Sequence, residues 1–185
     1  MFRPSGSTGI PTATDVDHLG VTVPDLQQAI SFFIDVLGAD FLFSFDEGPG
    51  TNNPANLEKA FGVLPESKLK IAMLRLGPTL NLELMQYTAS DQRREMPKNS
   101  DWDAPHIAFF VRDMQVAADY LAQHGCKLFD GPFLSETGPK AGQAIRYFTT
   151  PWGMFLEILS RPAHMPYEQQ TTARLFGPAV ERGTS

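Results

Sequence analysis

Two histidines and two glutamates recur in matched places along this chain. His18 opens the stretch Leu19-Gly20-Val21-Thr22-Val23, and Asp25 follows after Pro24. His106 opens Ile107-Ala108-Phe109-Phe110-Val111, and Asp113 follows at the same interval. Glu83 lies inside Asn81-Leu82-Glu83-Leu84-Met85, and Glu157 inside Phe155-Leu156-Glu157-Ile158-Leu159. A carboxylate within an apolar strand is expensive unless it is paired or holds a metal. Taken singly, a histidine at a strand end is an ordinary surface residue. Its repetition, with a matching glutamate each time, points to a built site. Two imidazoles and two carboxylates suit a six-coordinate divalent ion with two positions left for water or substrate. Zn, Ni, Co, Fe(II) and Mn all accept that donor set, which does not choose among them.

These residues need strands to aim them. Val16 to Val23 alternates, with Leu19, Val21 and Val23 on one face and His18, Gly20 and Thr22 on the other. The same rule separates Leu82 and Leu84 from Glu83, and Leu156 and Ile158 from Glu157. One His and one Glu of each half therefore share a face, away from the helix that follows the first strand. Asp25 caps that helix, whose apolar face is Leu26, Ala29, Ile30, Phe33 and Leu37, and Gly38 stops it. Strands are expected at 39–45, 69–76 and 80–87, with an excursion of turn formers at 46–67 that holds a short helix near 55–61. Loops of that length often serve as lids or binding loops. The order then repeats: a strand at 105–111, a helix capped by Asp113 carrying Val116, Ala117, Tyr120 and Leu121 and stopped by Gly125, and strands at 126–129, 143–149 and 154–160. The expected fold is α+β, with each half running strand, helix and three strands, so that two similar sheets pack side by side. Residues 1–14 read as a disordered N-terminal segment, 15–88 as the first module, 89–103 as a linker, 104–160 as the second module and 161–185 as a C-terminal tail.

Composition narrows the function classes. The chain has 185 residues and a net charge of −6 with no basic run, which argues against nucleic acid. No apolar run is long enough to span a bilayer. The N-terminus lacks an apolar signal region, and Cys126 is the single cysteine, so neither a disulfide framework nor a cysteine-rich zinc site is available. A soluble cytoplasmic protein acting on a small molecule is the expectation. Other polar residues read more plainly. His124, beside Gly125, suits a helix C-terminus, where it faces the dipole. His164 reads as an exposed tail residue. Arg75 and Arg146, on the third strands of the two halves, read either as contacts for an anionic substrate or as surface or ion-paired residues. Trp152 and Phe155 read as core or pocket wall, and Tyr167 and Glu168 read either as part of a merely packed tail or as tail residues that close over the site.

With these motifs assembled, the chain resembles the vicinal oxygen chelate superfamily over about residues 16–161. That superfamily includes glyoxalase I, bleomycin-resistance proteins, extradiol dioxygenases and methylmalonyl-CoA epimerase. The resemblance rests on His18 to Asp25-Leu26, Phe32-Phe33, Leu37-Gly38, Asn81-Leu82-Glu83-Leu84, His106 to Asp113, and Pro151-Trp152-Gly153-Met154-Phe155-Leu156-Glu157-Ile158. It implies two βαβββ modules forming a cupped mixed sheet around a metal site and places four metal ligands on His18, Glu83, His106 and Glu157. Asn81 to Tyr87, Asp91-Gln92, Asn99-Ser100-Asp101, Gly138-Pro139-Lys140-Ala141-Gly142 and Pro166-Tyr167-Glu168 resemble the branch of 2-epi-5-epi-valiolone epimerases. Pro105 stands where methylmalonyl-CoA epimerases carry a second histidine. The resemblance implies a metal-dependent epimerase or isomerase. It would act next to a carbonyl of a sugar- or cyclitol-like substrate through an enediolate, with Glu157 or Glu83 as the base. The alternatives are a glyoxalase I-type lyase, an extradiol-type dioxygenase and a small-molecule-binding resistance protein. A homodimer is the implied assembly.

Overall fold

The computed structural model describes residues 10–51 and 56–175. Residues 1–9 of the expected N-terminal segment, Ala55 of the short helix and residues 176–185 of the tail lie outside the described residues. The chain divides into two compact units, 1–94 and 95–185.

In the first unit, β1 (Leu19–Thr22) leads to α1 (Leu26–Asp35), then β2 (Asp40–Glu47), α2 (Leu57–Phe61), β3 (Lys68–Leu76) and β4 (Leu80–Thr88). The sheet order is β1-β4-β3-β2. The first and last strands pair in parallel, and the others pair antiparallel. Asp25 caps α1 by accepting from the Gln28 N–H at 2.7 Å. The helix ends where Gly38 adopts φ 73°, a left-handed value that glycine takes without a Cβ clash. Its buried face is Leu26, Ala29, Phe32 and Phe33, and it packs on β3 and β4. The strand side chains meeting it are Leu82, Leu84, Ala72 and Leu74, all fully buried. Gln86 ties sheet to helix by accepting from the Leu26 N–H at 2.7 Å.

The second unit repeats this order with β5 (Ile107–Phe110), α3 (Met114–Gln123), β6 (Lys127–Leu128), β7 (Phe133–Leu134), β8 (Ala144–Thr149) and β9 (Phe155–Ser160). Its sheet runs β5-β9-β8-β6, with β7 also on β8. β5 and β9 pair in parallel, as β1 and β4 do. In both units the ladder extends one step past the first strand: Val23 N–H donates to the Met85 carbonyl and Val111 N–H to the Leu159 carbonyl, each at 2.8 Å. The architecture is thus α+β, with two mixed sheets and few helices.

The structure departs from the sequence reading in two places. α3 buries Ala118 and Leu121, while Val116 and Tyr120 face solvent, and Tyr120 packs its ring on His124. Leu121 is buried as expected, and Ala118 rather than Ala117 is buried one turn before it. The Gly/Pro-rich stretch of 130–142 contains a strand, β7, too short to show alternation. Within the 46–67 excursion the expected short helix is α2, and its Leu57 is buried on Leu69 and Ile71, with Val63, Met85 and Tyr87 around it. After β9, the chain makes a 3₁₀ turn at Pro166–Gln169, and the Tyr167 N–H donates to the Pro139 carbonyl at 3.2 Å.

Candidate functional site

The parallel pairing of first and last strands decides which side chains meet. In the first unit, Gly20 lies directly opposite Glu83. His18, two residues earlier on the same face, reaches Glu83 with Nε2 at 3.4 Å from Oε2. In the second unit Ala108 lies opposite Glu157, and His106 Nε2 is 3.0 Å from Glu157 Oε2. The two pairs occupy the same register in their own sheets, and each sits on the face away from the helix. The structure thus joins His18 with Glu83 and His106 with Glu157. Among the described residues no three His, Cys, Asp or Glu side chains are grouped to hold a metal ion.

The surroundings of the two pairs differ. His18 is gripped from behind: its Nδ1–H donates to the Asp17 carboxylate at 2.8 Å. That bond raises the His18 pKa above its ordinary value, opposed by burial and helped by the Glu83 and Asp17 charges. Asp17 and Glu83 face opposite nitrogens of one ring, so these three groups do not converge on a point. Asn81, on the strand of Glu83, donates to the Asp17 carbonyl at 2.9 Å and holds the histidine's approach. Across β3, Met73 stands opposite Glu83. Tyr87 lies further along that face, and its phenol pKa is pushed up by burial and then by the Glu83 and Glu47 charges. Gly20 keeps space beside the carboxylate: a Cβ there would lie 3.0 Å from Met85 Cε and 3.6 Å from Glu83 Oε2.

Beside the second pair, Tyr147 of β8 stands opposite Glu157. Its hydroxyl is 3.5 Å from His106 Nε2, and the two rings meet edge-on with centroids 5.2 Å apart. Burial, first, and the Glu157 charge hold the phenol above its ordinary pKa, while a hydrogen bond from Asn99 pulls the other way. The Glu157 side chain is more enclosed than that of Glu83, at 8% against 20% exposed.

The donor chemistry fits a divalent metal. Each pair offers an imidazole nitrogen and a carboxylate oxygen together. In the first, the hydrogen bond from Nδ1 to Asp17 leaves Nε2 as the nitrogen turned to Glu83, the arrangement that metal-bound imidazoles use. The remaining candidates separate cleanly. Arg75 is opposite Asn81, on the Glu83 face, and its guanidinium pairs with Asp40 at 2.6 Å. Arg146 is opposite Ile158, on the other face, and donates from Nε to the Phe129 carbonyl. His124 ends α3 with Nδ1 2.8 Å from the Tyr120 carbonyl. His164 is exposed and lies 3.4 Å from Glu168. Phe155 stacks on Phe129. Tyr167 and Glu168 sit in the 3₁₀ turn held to the 138–142 loop.

The sequence model of the Glyoxalase/Bleomycin resistance protein/Dioxygenase superfamily matches residues 17–149. The chain belongs to this superfamily. A 2-epi-5-epi-valiolone epimerase from Actinomyces sp is 45% identical over 171 residues, covering 92% of each chain. Solved structures of superfamily members share the fold. A glyoxalase family protein from Bacillus cereus superposes with a TM-score of 0.66 at 16% identity, over 84% of this chain and 99% of its own. A glyoxalase family protein from Enterococcus faecalis gives 0.56 at 20% identity, over 78% and 96%. Among the described residues no helix is long and apolar enough to cross a membrane.

Proposed function

We propose that this protein is a divalent-metal-dependent epimerase acting at a carbon next to the carbonyl of a small cyclitol-like ketone. The observation carrying this reading is the repeated His–Glu pair, set in equivalent register in both sheets. The relative named as a 2-epi-5-epi-valiolone epimerase supports the substrate class.

His18, Glu83, His106 and Glu157 would hold the metal. A bound divalent ion supplies Lewis-acid stabilisation of the negative charge that an enediolate develops on its oxygens. One of the two carboxylates, Glu83 or Glu157, takes the proton from the α-carbon. The C–H electron pair becomes the new C=C bond, and the carbonyl π pair moves to oxygen. Return of a proton to the opposite face restores the ketone with that carbon inverted. Asp17 and Asn81 hold His18 so that Nε2 stays turned to Glu83. Leu82, Leu84, Leu156 and Ile158 anchor the carboxylate strands against their helices.

The test is exchange of the substrate α-proton with solvent deuterium, followed by NMR with 2-epi-5-epi-valiolone. The wild-type protein should exchange and epimerise. Glu83→Gln and Glu157→Gln should each lower the rate by at least about a hundredfold, the usual worth of a positioned acid or base. Full exchange in both variants would overturn the mechanism.

A further inference from the structure

The face that carries each His–Glu pair also carries an exposed phenylalanine two strands out from the glutamate. In the first unit the register runs Glu83, Met73, Phe43 across β4, β3 and β2. In the second unit Glu157 of β9 faces Tyr147 of β8. The Phe129 N–H donates to the Tyr147 carbonyl at 3.0 Å, which continues the β6 ladder by one residue and sets Phe129 beside Tyr147. Side chains opposite one another in a ladder share a face, so each ring lies on the side of its own His–Glu pair. Both rings are open, Phe43 at 49% and Phe129 at 37% exposure. One exposed apolar residue needs no explanation. An open aromatic ring at the same register place in both sheets points to contact with a ligand.

The second unit equips its ring further. Phe155, two residues before Glu157 on β9, stacks on Phe129 with ring centroids 5.3 Å apart and planes at 23°. That contact uses one face of the Phe129 ring and fixes its orientation. Lys127, two residues before Phe129 and so on the same side of its strand, holds its ammonium 5.5 Å from the ring centroid. Among the described residues no carboxylate pairs with Lys127. Arg75, on the corresponding face of the first unit, is paired with Asp40. An exposed contact between an ammonium and a ring is weak, so Lys127 turns readily to a better acceptor.

An aromatic ring offers a negative face to polarised C–H groups, and an ammonium offers three donors to oxygens. Side by side they match a hydroxylated carbon ring, which has C–H groups on its face and oxygens at its rim. Adjacent strands lie about 4.8 Å apart, so Phe129 stands about 10 Å across the sheet from Glu157. A cyclitol meeting the His106–Glu157 pair with its carbonyl side brings its opposite side to Phe129.

We infer that Phe129 and Lys127 form a substrate-binding subsite for the side of the cyclitol remote from its ketone, the ring taking C–H groups and the ammonium taking hydroxyl oxygens. The subsite rests on the epimerase reading above and on the second unit alone. Its two residues bind the substrate and leave proton transfer to the carboxylates.

The experiment is steady-state kinetics with 2-epi-5-epi-valiolone, with elemental analysis and size-exclusion chromatography of each protein. Phe129→Ala and Lys127→Met should each raise KM about tenfold, the worth of one good ring contact or of one hydrogen bond from a charged donor. The kcat should hold, because these contacts are alike in ground and transition states. Metal content and elution volume should stay at wild-type values. Phe129→Tyr, which restores the ring, should recover most of the lost affinity, and Phe129→Leu, which keeps only apolar bulk, should not. A wild-type KM in either Phe129→Ala or Lys127→Met would overturn the subsite, while turnover by the wild-type protein keeps the epimerase reading intact. Loss of metal together with kcat in Phe129→Ala would also overturn it, since the ring would then serve the ligands. So would a shifted elution volume with KM unmoved, the mark of a ring that binds protein. Where Phe129→Ala does not fold, Phe129→Leu decides by the same KM. A wild-type protein that does not turn over the ketone overturns both readings.

Discussion

His18 offers Nε2 because Nδ1 is committed to Asp17. Removing that carboxylate frees the ring to rotate and to change tautomer. Loss of such a partner usually weakens metal binding 10- to 100-fold. Asp17 is largely exposed, so Asp17→Ala should cost about tenfold, the low end of that range, measured by competition with a chromophoric chelator. A loss matching that of His18→Ala would instead make Asp17 a ligand itself. Cys126 tests burial rather than chemistry. Its thiol is pushed up to about 11 by desolvation. Native protein should therefore react slowly with a thiol reagent at neutral pH, and denatured protein should release one equivalent. A raised pKa means that the folded state holds the proton more tightly. The resulting stability is intact below the ordinary thiol range and is lost as pH rises toward 11. The four proposed ligands were legible as residues because they repeat. Tyr147 was not, because the sequence draws attention to its charged neighbour Arg146. Strand register separates them: Tyr147 opposes Glu157 and Arg146 opposes Ile158. A one-residue slip would exchange their faces, and the turn at 151–153 does not announce its register in advance.

At the scale of elements, most boundaries follow from local chemistry. Asp25 and Asp113 both cap helices, Gly38 and Gly125 both end them, and alternation puts Leu82 and Leu84 opposite Glu83 in direction. Elements whose partners are distant in sequence were harder to read. β7 has two residues, and only its ladder to β8 makes it a strand. Within the 46–67 excursion the short helix was legible, and its packing of Leu57 against Leu69 and Ile71 was not. Leu84→Ala should destabilise the first unit by about 2–5 kcal/mol, the usual cost of truncating a fully buried leucine. Calorimetry checks this, and a cost well below 1 kcal/mol would mean that the α1 face is not packed as described. Gly20 probes the opposite face of the same pair of strands. The second unit accepts Ala108 at that register position, and the atom nearest a new Cβ is the flexible end of Met85. Gly20→Ala should therefore fold with little change in Tm. Gly20→Val adds two methyl groups toward Glu83 and should lower metal affinity and epimerisation while leaving circular dichroism unaltered. A Gly20→Val protein with full activity would show that Glu83 needs no space there.

Across the whole chain, the proposed metal binding poses one question that neither unit answers alone: whether the His18–Glu83 and His106–Glu157 pairs take up one ion or two. The duplication was legible in the sequence because both copies keep His, Asp and Glu in the same order. The longer separation of His18 from Glu83 is the excursion that carries α2. Thermal unfolding with added metal distinguishes one shared ion from two independent ones. A ligand that binds only the folded state, at a hundred times its Kd, adds about 2.7 kcal/mol. In a chain of this length each kcal/mol moves Tm by about 2–4 °C. The apoprotein titrated with Mn or Zn should therefore gain roughly 5–10 °C. If both pairs hold one ion, Glu83→Gln and Glu157→Gln should each remove most of that gain, and the double variant should remove little more, because groups acting on one ligand are not additive. If each pair binds its own ion, each single variant keeps about half of the gain and the double variant loses all of it. Elemental analysis should then read one metal per chain in the first case and two in the second. Two metals with additive losses would overturn the shared site and leave two separate His–Glu sites in its place.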